Sequence, residues 1–146
     1  MSRPALVPEL YVTHLPTSIG FYVELLGFRV EYERPEDRFV ALSLEGAHLM
    51  LEEAPSLHRA SEEQFRRGEW RTAELERPFG RGLNLEIEVV DIQAIEARIL
   101  ARGHPLLREL HERSYRVGKV QHVVRQLLVA DPDGYLIRLS QPGDPR

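Results

Sequence analysis

The feature that most constrains the fold is a repeated pattern: each half of the 146 residues reads as one strand, one helix and three further strands. In the first half Leu6, Leu10 and Val12 share one strand parity, while Val7, Glu9 and Tyr11 share the other. That alternation predicts a strand over 6–12 with one apolar and one mixed face. A helix follows, with Thr13 or His14 near its start, Pro16 in the first turn, and Ile19, Tyr22, Val23 and Leu26 on one stripe. Gly27 can take the left-handed conformation that ends it. Strands are predicted over 28–32, 38–44 and 47–52, with Pro35-Glu36-Asp37 and Glu45-Gly46 as turns.

The second half repeats this order. Over 83–89, Leu85, Ile87 and Val89 alternate with Asn84, Glu86 and Glu88. Asp91 is a good helix cap, Ile92, Ile95 and Ile99 form the buried stripe, and Gly103 closes the helix. Strands are predicted over 106–113, 122–130 and 135–140, the last two joined by the tight turn Asp131-Pro132-Asp133-Gly134. A four-stranded sheet covered by one helix leaves its other face open. Two such units predict an α+β fold in which paired, curled, antiparallel or mixed sheets form a concave trough, a shape that holds small ligands. The chain reads as a single domain over 1–146, with a module at 5–53, a connector at 54–81 and a module at 82–141. Ser61-Glu62-Glu63-Gln64 in the polar connector has the pattern of a helix capping box. A connector of this length lets the modules pair within one chain or exchange between two.

Composition excludes several classes. The chain is 42% hydrophobic and 29% charged, as in an ordinary globular domain, and no apolar run approaches the ~20 residues of a membrane span. Residues 1–10 carry no pattern of a targeting peptide. The absence of cysteine removes disulfides, thiolate metal sites and cysteine nucleophiles, and fits a cytoplasmic location. A net charge of -4 argues against nucleic acid as a partner and favours cationic ones.

Three groups of residues then carry a resemblance. Ser18, Phe21-Tyr22 and Leu26-Gly27-Phe28 lie on the first helix, Leu49-Met50-Leu51-Glu52 on the fourth strand, and Arg125-Gln126 with the run from Asp131 to Leu139 at the end. In this order, over 6–141, they resemble the vicinal-oxygen-chelate superfamily. It includes glyoxalases, extradiol dioxygenases, epimerases, fosfomycin-inactivating thiol transferases and bleomycin-binding proteins, and the likeness is nearest to bleomycin-resistance proteins. The resemblance implies paired βαβββ modules, often dimeric, with sites in the troughs.

Enzymes of this superfamily hold a divalent metal on the first and fourth strands of each module. The resemblance places those positions at Val7, at Leu51 or Met50 (one step from Glu52), at Asn84 and at Arg138. Valine and leucine donate nothing to a metal, arginine repels one, and asparagine is a weak ligand, so no metal or other cofactor is expected. His14, His48, His58, His104, His111 and His122 are scattered, without HxH or HxxxH pairs. No Ser-His-Asp pattern, phosphate loop or dinucleotide fingerprint is present, so no catalytic residue is assigned.

Strand parity turns Val7, Glu9, Tyr11, Asn84, Glu86, Glu88, Leu136, Arg138 and Ser140 toward the trough. Arg138 is expected to pair with Glu86 or Glu9, because unpaired buried charge is costly. Phe39, Phe79, Tyr32, Trp70 and Tyr115 offer rings near the rim for a flat ligand. The predicted ligand-binding set is Glu9, Tyr11, Phe39, Leu51, Trp70, Asn84, Glu86, Tyr115 and Arg138. The leading expectation is a homodimer that sequesters a small molecule, such as the cationic antibiotic bleomycin, without metal or catalysis. The alternatives are a lyase, isomerase or dioxygenase with an unusual site using Glu52 or His48, and a ligand-sensing domain.

Overall fold

Each module lays its helix across one face of a mixed sheet. The computed structural model describes residues 3–143. The first module contains β1 (Glu9–Val12), α1 (Leu15–Ile19) continuing as a π-helical stretch (Gly20–Leu26), β2 (Arg29–Arg34), β3 (Phe39–Leu44) and β4 (Ala47–Glu53). The connector holds α2 (Glu62–Arg66). The second module contains β5 (Asn84–Glu88), α3 (Ile92–Ala101), β6 (Leu106–Val117), β7 (Val120–Ala130) and β8 (Leu136–Pro142). The two four-stranded sheets have the orders β1-β4-β3-β2 and β5-β8-β7-β6. In both, the first strand pairs parallel with the last and the other pairs are antiparallel. The predicted α+β architecture of two βαβββ modules with unclosed sheets is therefore observed.

The helix-bearing faces meet in one core. Leu10, Val12, Val40, Leu42 and Leu51 of the first sheet and Ile87, Leu127, Val129, Ile137 and Leu139 of the second join Tyr22, Leu26, Ile95 and Ile99 in one hydrophobic cluster. Burying a side chain of this size stabilises by about 1.5–3 kcal/mol relative to exposure, so the shared interior is the main force joining the modules. Polar bonds add direction. Asp131 Oδ1 accepts from the backbone N–H groups of Asp133 and Tyr135, both at 2.9 Å, and Oδ2 accepts from Tyr22 Oη at 2.8 Å. Asp133 accepts from Thr13 N at 2.9 Å, Thr13 Oγ1 at 2.6 Å and Arg77 Nη2 at 3.0 Å. Burial pushes the Asp131 carboxyl and, more strongly, the Tyr22 phenol upward. Gly134, at φ 100°, closes the turn where a Cβ would stand 2.5 Å from Pro78 Cβ. The 131–134 turn is thus also the joint between the modules.

Several predicted elements differ in detail. Leu6 is 82% exposed and outside β1, because Pro8 has no N–H to continue the ladder. The π-helical stretch carries Phe21 and Leu25 inside beside Tyr22 and Leu26, whereas Ile19 and Val23 are only partly buried. Its wider turn shifts the stripe that a regular period would place. Strands β6 and β7 run further than predicted and meet at Gly118, at φ 63°. Beyond Val124, where the pairing with β8 ends, they form a two-stranded ribbon with pairs such as Tyr115↔His122. The capping box is present: Ser61 Oγ accepts from Gln64 N at 3.2 Å, and Gln64 Oε1 accepts from Ser61 N at 2.8 Å. Among the described residues no helix is long and apolar enough to cross a membrane.

Candidate functional site

Side chains that point away from the helix form an open face on each sheet. On the first sheet the register aligns Glu9, Met50 and Ala41 in one row, and Tyr11, Glu52 and Phe39 in the next. The connector folds over the second row. Trp70 stacks on Tyr11 at 3.8 Å and 11°, its Nε1 donates to Glu52 Oε2 at 3.1 Å, and its backbone N donates to Tyr11 Oη at 3.2 Å. Arg71, 3% exposed, anchors this strap by pairing with Glu69 and donating to the Ser56 carbonyl. The Arg34 guanidinium lies 3.9 Å over the Phe39 ring and pairs with Asp37 at 2.9 Å. Burial, then a hydrogen bond shared with Glu52 and the charge of that carboxylate, push the Glu9 carboxyl up. Next to this group a hollow of about 730 Å³ is lined by Val7, Tyr32, Ser43, His48 and Met50, among others.

The open face of the second sheet has a different character. Arg138 Nη2 donates to Glu86 Oε2 at 2.7 Å, and Ser140 Oγ donates to Glu86 Oε1 at 3.1 Å. One strand over, Gln126 is 2% exposed. Its amide exchanges hydrogen bonds with Tyr115 Oη at 3.1 and 3.2 Å and lies 3.2 Å from His111 Nε2. His111 Nδ1 lies 2.7 Å from the Glu109 carbonyl. A carbonyl only accepts, so Nδ1 carries the proton and Nε2 accepts from Gln126. The Arg113 guanidinium beside Tyr115, then Gln126, hold the phenol below its usual range. Two polar groups therefore share this face: Glu86 with Arg138 and Ser140 on β5 and β8, and Gln126 with Tyr115 and His111 on β7 and β6.

The structure places Glu9, Tyr11, Phe39 and Trp70 on the first sheet's outward side, with Tyr11 buried under Trp70 and Phe39 buried under Arg34, and Asn84, Glu86, Tyr115 and Arg138 on the second. Leu51 requires a correction. It is fully buried in the core under the helix, and its neighbours Met50 and Glu52 take the open face, because one residue along a strand reverses the side. Phe79, expected near the rim, is 3% exposed and packs edge-on against Tyr135 at 5.8 Å. Arg138 reaches Glu86 and not Glu9. Among the described residues, bonds between modules run through the helices, the 131–135 turn and the β3–β4 turn: Arg98 to the Leu25 carbonyl, Arg102 to Glu24, Tyr22 to Asp131 and Val90 N to Glu45. None joins one open face to the other.

Sequence reasoning did not anticipate the part played by Glu52 as Trp70's acceptor, or that of His111. The His111–Gln126 contact depends on irregular pairing between Leu106 and His111, which shifts the parity of β6. Nothing local in the sequence marks it. The positions that the resemblance matches to metal ligands carry Val7, Leu51 or Met50, Asn84 and Arg138, and among the described residues no three His, Cys, Asp or Glu side chains converge to hold an ion. A guanidinium already paired with Glu86 occupies the last of them, so this donor set does not fit a divalent metal.

Comparison with known proteins completes the picture. A family model described as Glyoxalase/Bleomycin resistance protein/Dioxygenase superfamily matches residues 5–139. No curated protein matches the sequence. Among solved structures, a glyoxalase/bleomycin resistance protein/dioxygenase superfamily member from Vibrio splendidus 12B01 is 33% identical over 92% of this chain and 95% of its own, with a TM-score of 0.41. TioX from Micromonospora sp. ML1 is 19% identical over 93% of this chain and 96% of its own, with a TM-score of 0.65. A glyoxalase/bleomycin resistance protein/dioxygenase from Nocardioides is 21% identical over 99% and 89%, with a TM-score of 0.64. The last two likenesses concern the fold alone.

Proposed function

The chain belongs to the glyoxalase/bleomycin resistance protein/dioxygenase superfamily, and on that premise we propose that it sequesters a small molecule bearing a flat ring and a cationic group, without a metal and without making or breaking bonds. The observation that carries this reading is the Glu9 and Glu52 carboxyl pair beside the stacked rings of Tyr11 and Trp70. A cation between the carboxylates offsets both the burial and the Glu52 charge that raise Glu9, and a planar ring finds a partner in Trp70, 38% exposed and backed by the buried Tyr11. Glu86 contributes less, because Arg138 and Ser140 already occupy both of its oxygens. Among the described residues no bond joins the two open faces, which supports a homodimer in which a second copy closes each trough.

Metal-free bleomycin is the first ligand to test. Trp70 is the single tryptophan, so its fluorescence reports the first open face directly. The expected result is a saturable change with one ligand per protomer, and calorimetric affinity at least about tenfold weaker (~1.4 kcal/mol) in Glu52→Gln and Trp70→Ala. Neither heat nor a fluorescence change would reject the drug. Stoichiometric zinc, nickel, iron or manganese in the purified protein would overturn the metal-free reading.

A further inference from the structure

We propose that the open face of the second sheet is a carboxylate-binding subsite, in which the guanidinium groups of Arg138 and Arg113 and the hydroxyl of Tyr115 receive the anionic end of the ligand. This rests on the small-molecule reading above and deepens it: the ligand is zwitterionic, its cation on the first face of one copy and its carboxylate on the second face of the copy that closes the trough.

The geometry of donors points there. Arg138 spends Nη2 on Glu86, but its Nε is buried and has no hydrogen-bond partner. A guanidinium presents its N–H groups as a planar fork that matches a carboxylate. Arg113 lies with its guanidinium carbon 5.8 Å from the Tyr115 ring centre, and among the described residues no carboxylate lies within ion-pair reach of it. The Tyr115 hydroxyl is held in place by Gln126, which is itself buried and fixed by His111. A hydroxyl already fixed beside the Arg113 guanidinium costs a ligand little ordering.

The charge balance supports the same conclusion. Glu86 offsets one guanidinium and is saturated by Ser140, and among the described residues the Arg113 guanidinium has no carboxylate within ion-pair reach. Glu88, also on this face, sits on the edge strand β5 in the row of Ser140 and Gln126, one row from Arg138. The Tyr115 phenol is lowered first by its hydrogen bonds with Arg113 and Gln126, to which the charges of Arg138 and Arg113 add. Arg138 also stands where the resembled enzymes place a metal ligand, so a fixed cationic group remains at a position whose donors no longer suit an ion.

Benzoate and benzamidine separate this subsite from the first face. In an NMR titration benzoate is expected to give saturable shifts of the Arg138 Nε–H and the Gln126 side-chain amide. Arg138→Gln should weaken benzoate at least tenfold, and Arg113→Gln and Tyr115→Phe severalfold. Tyr115→Phe removes one hydroxyl, and Gln126 keeps its His111 bond, so it keeps the test sharp if Arg138→Gln folds poorly. Lys119→Gln, at the ribbon tip, should change nothing. Absence of saturable shifts at Arg138 and Gln126, undiminished affinity in both Arg138→Gln and Tyr115→Phe, or equal weakening by Lys119→Gln would overturn the subsite. Benzamidine, followed by Trp70 fluorescence, tests the first face alone, so either reading can fail while the other stands.

Discussion

The two modules share a topology and differ in chemistry. On the first open face two carboxyls crowd together under a stacked indole, and Glu9 is raised. On the second, the Arg113 guanidinium lies beside a phenol, and Tyr115 is lowered. The helix-facing positions of both sheets are aliphatic because they meet in one interior. The comparison teaches where such a repeat can diverge. Residues facing the shared core are constrained by packing, whereas residues one step along each strand are free to set charge.

The largest expected effect tests that division within β4. Leu51→Ala should cost about 2–5 kcal/mol in denaturant unfolding, because it empties a core position. Met50→Ala, on the open face, should cost less than about 1.5 kcal/mol. Equal costs would erase the distinction between faces.

The joint comes next. Asp131→Asn removes a carboxylate that takes three hydrogen bonds, and should cost about 1–3 kcal/mol while keeping a single unfolding transition. Two separate transitions in the variant would show that this turn, and not the core, binds the modules. On the first face, Glu52→Gln should weaken benzamidine about tenfold and leave benzoate unchanged, a contrast of ~1.4 kcal/mol between the two probes. Weakening of both would mean that the faces do not act separately.

The smallest effect is that of pH. Glu9 has its folded value raised, by burial first and then by Glu52. A raised value means that the proton favours the folded state, so this contribution is present in acid and is lost as pH rises through the elevated value. Glu9→Gln should therefore stabilise the neutral-pH protein by a few tenths of a kcal/mol, a gain that fades below the ordinary carboxylate range. Benzamidine binding to the natural protein should run the other way, strengthening as pH rises through the same window. A pH-independent affinity would remove Glu9 from the site.

Much of the scaffold was legible because it is written in local chemistry. Gly27 and Gly103, the Asp91 cap, the Ser61 capping box and the 131–134 turn each act over a few residues. Parity alone brought Arg138 and Glu86 to one face. The rest depends on distant partners. Trp70 meets Tyr11 across 59 positions of sequence, and nothing near either residue encodes the meeting. The side taken by Leu51 hinged on a one-residue register, and the π-helical stretch on packing against α3, through contacts such as Arg98 with the Leu25 carbonyl.

The continuous interior has a consequence for how the molecule can be divided. Severed at the exposed Gly68, each fragment would present a greasy flank to water and should aggregate when produced alone. Produced in the same cell, the two pieces should instead find each other and copurify as one particle, a self-assembling pair held together by oil rather than by a peptide link.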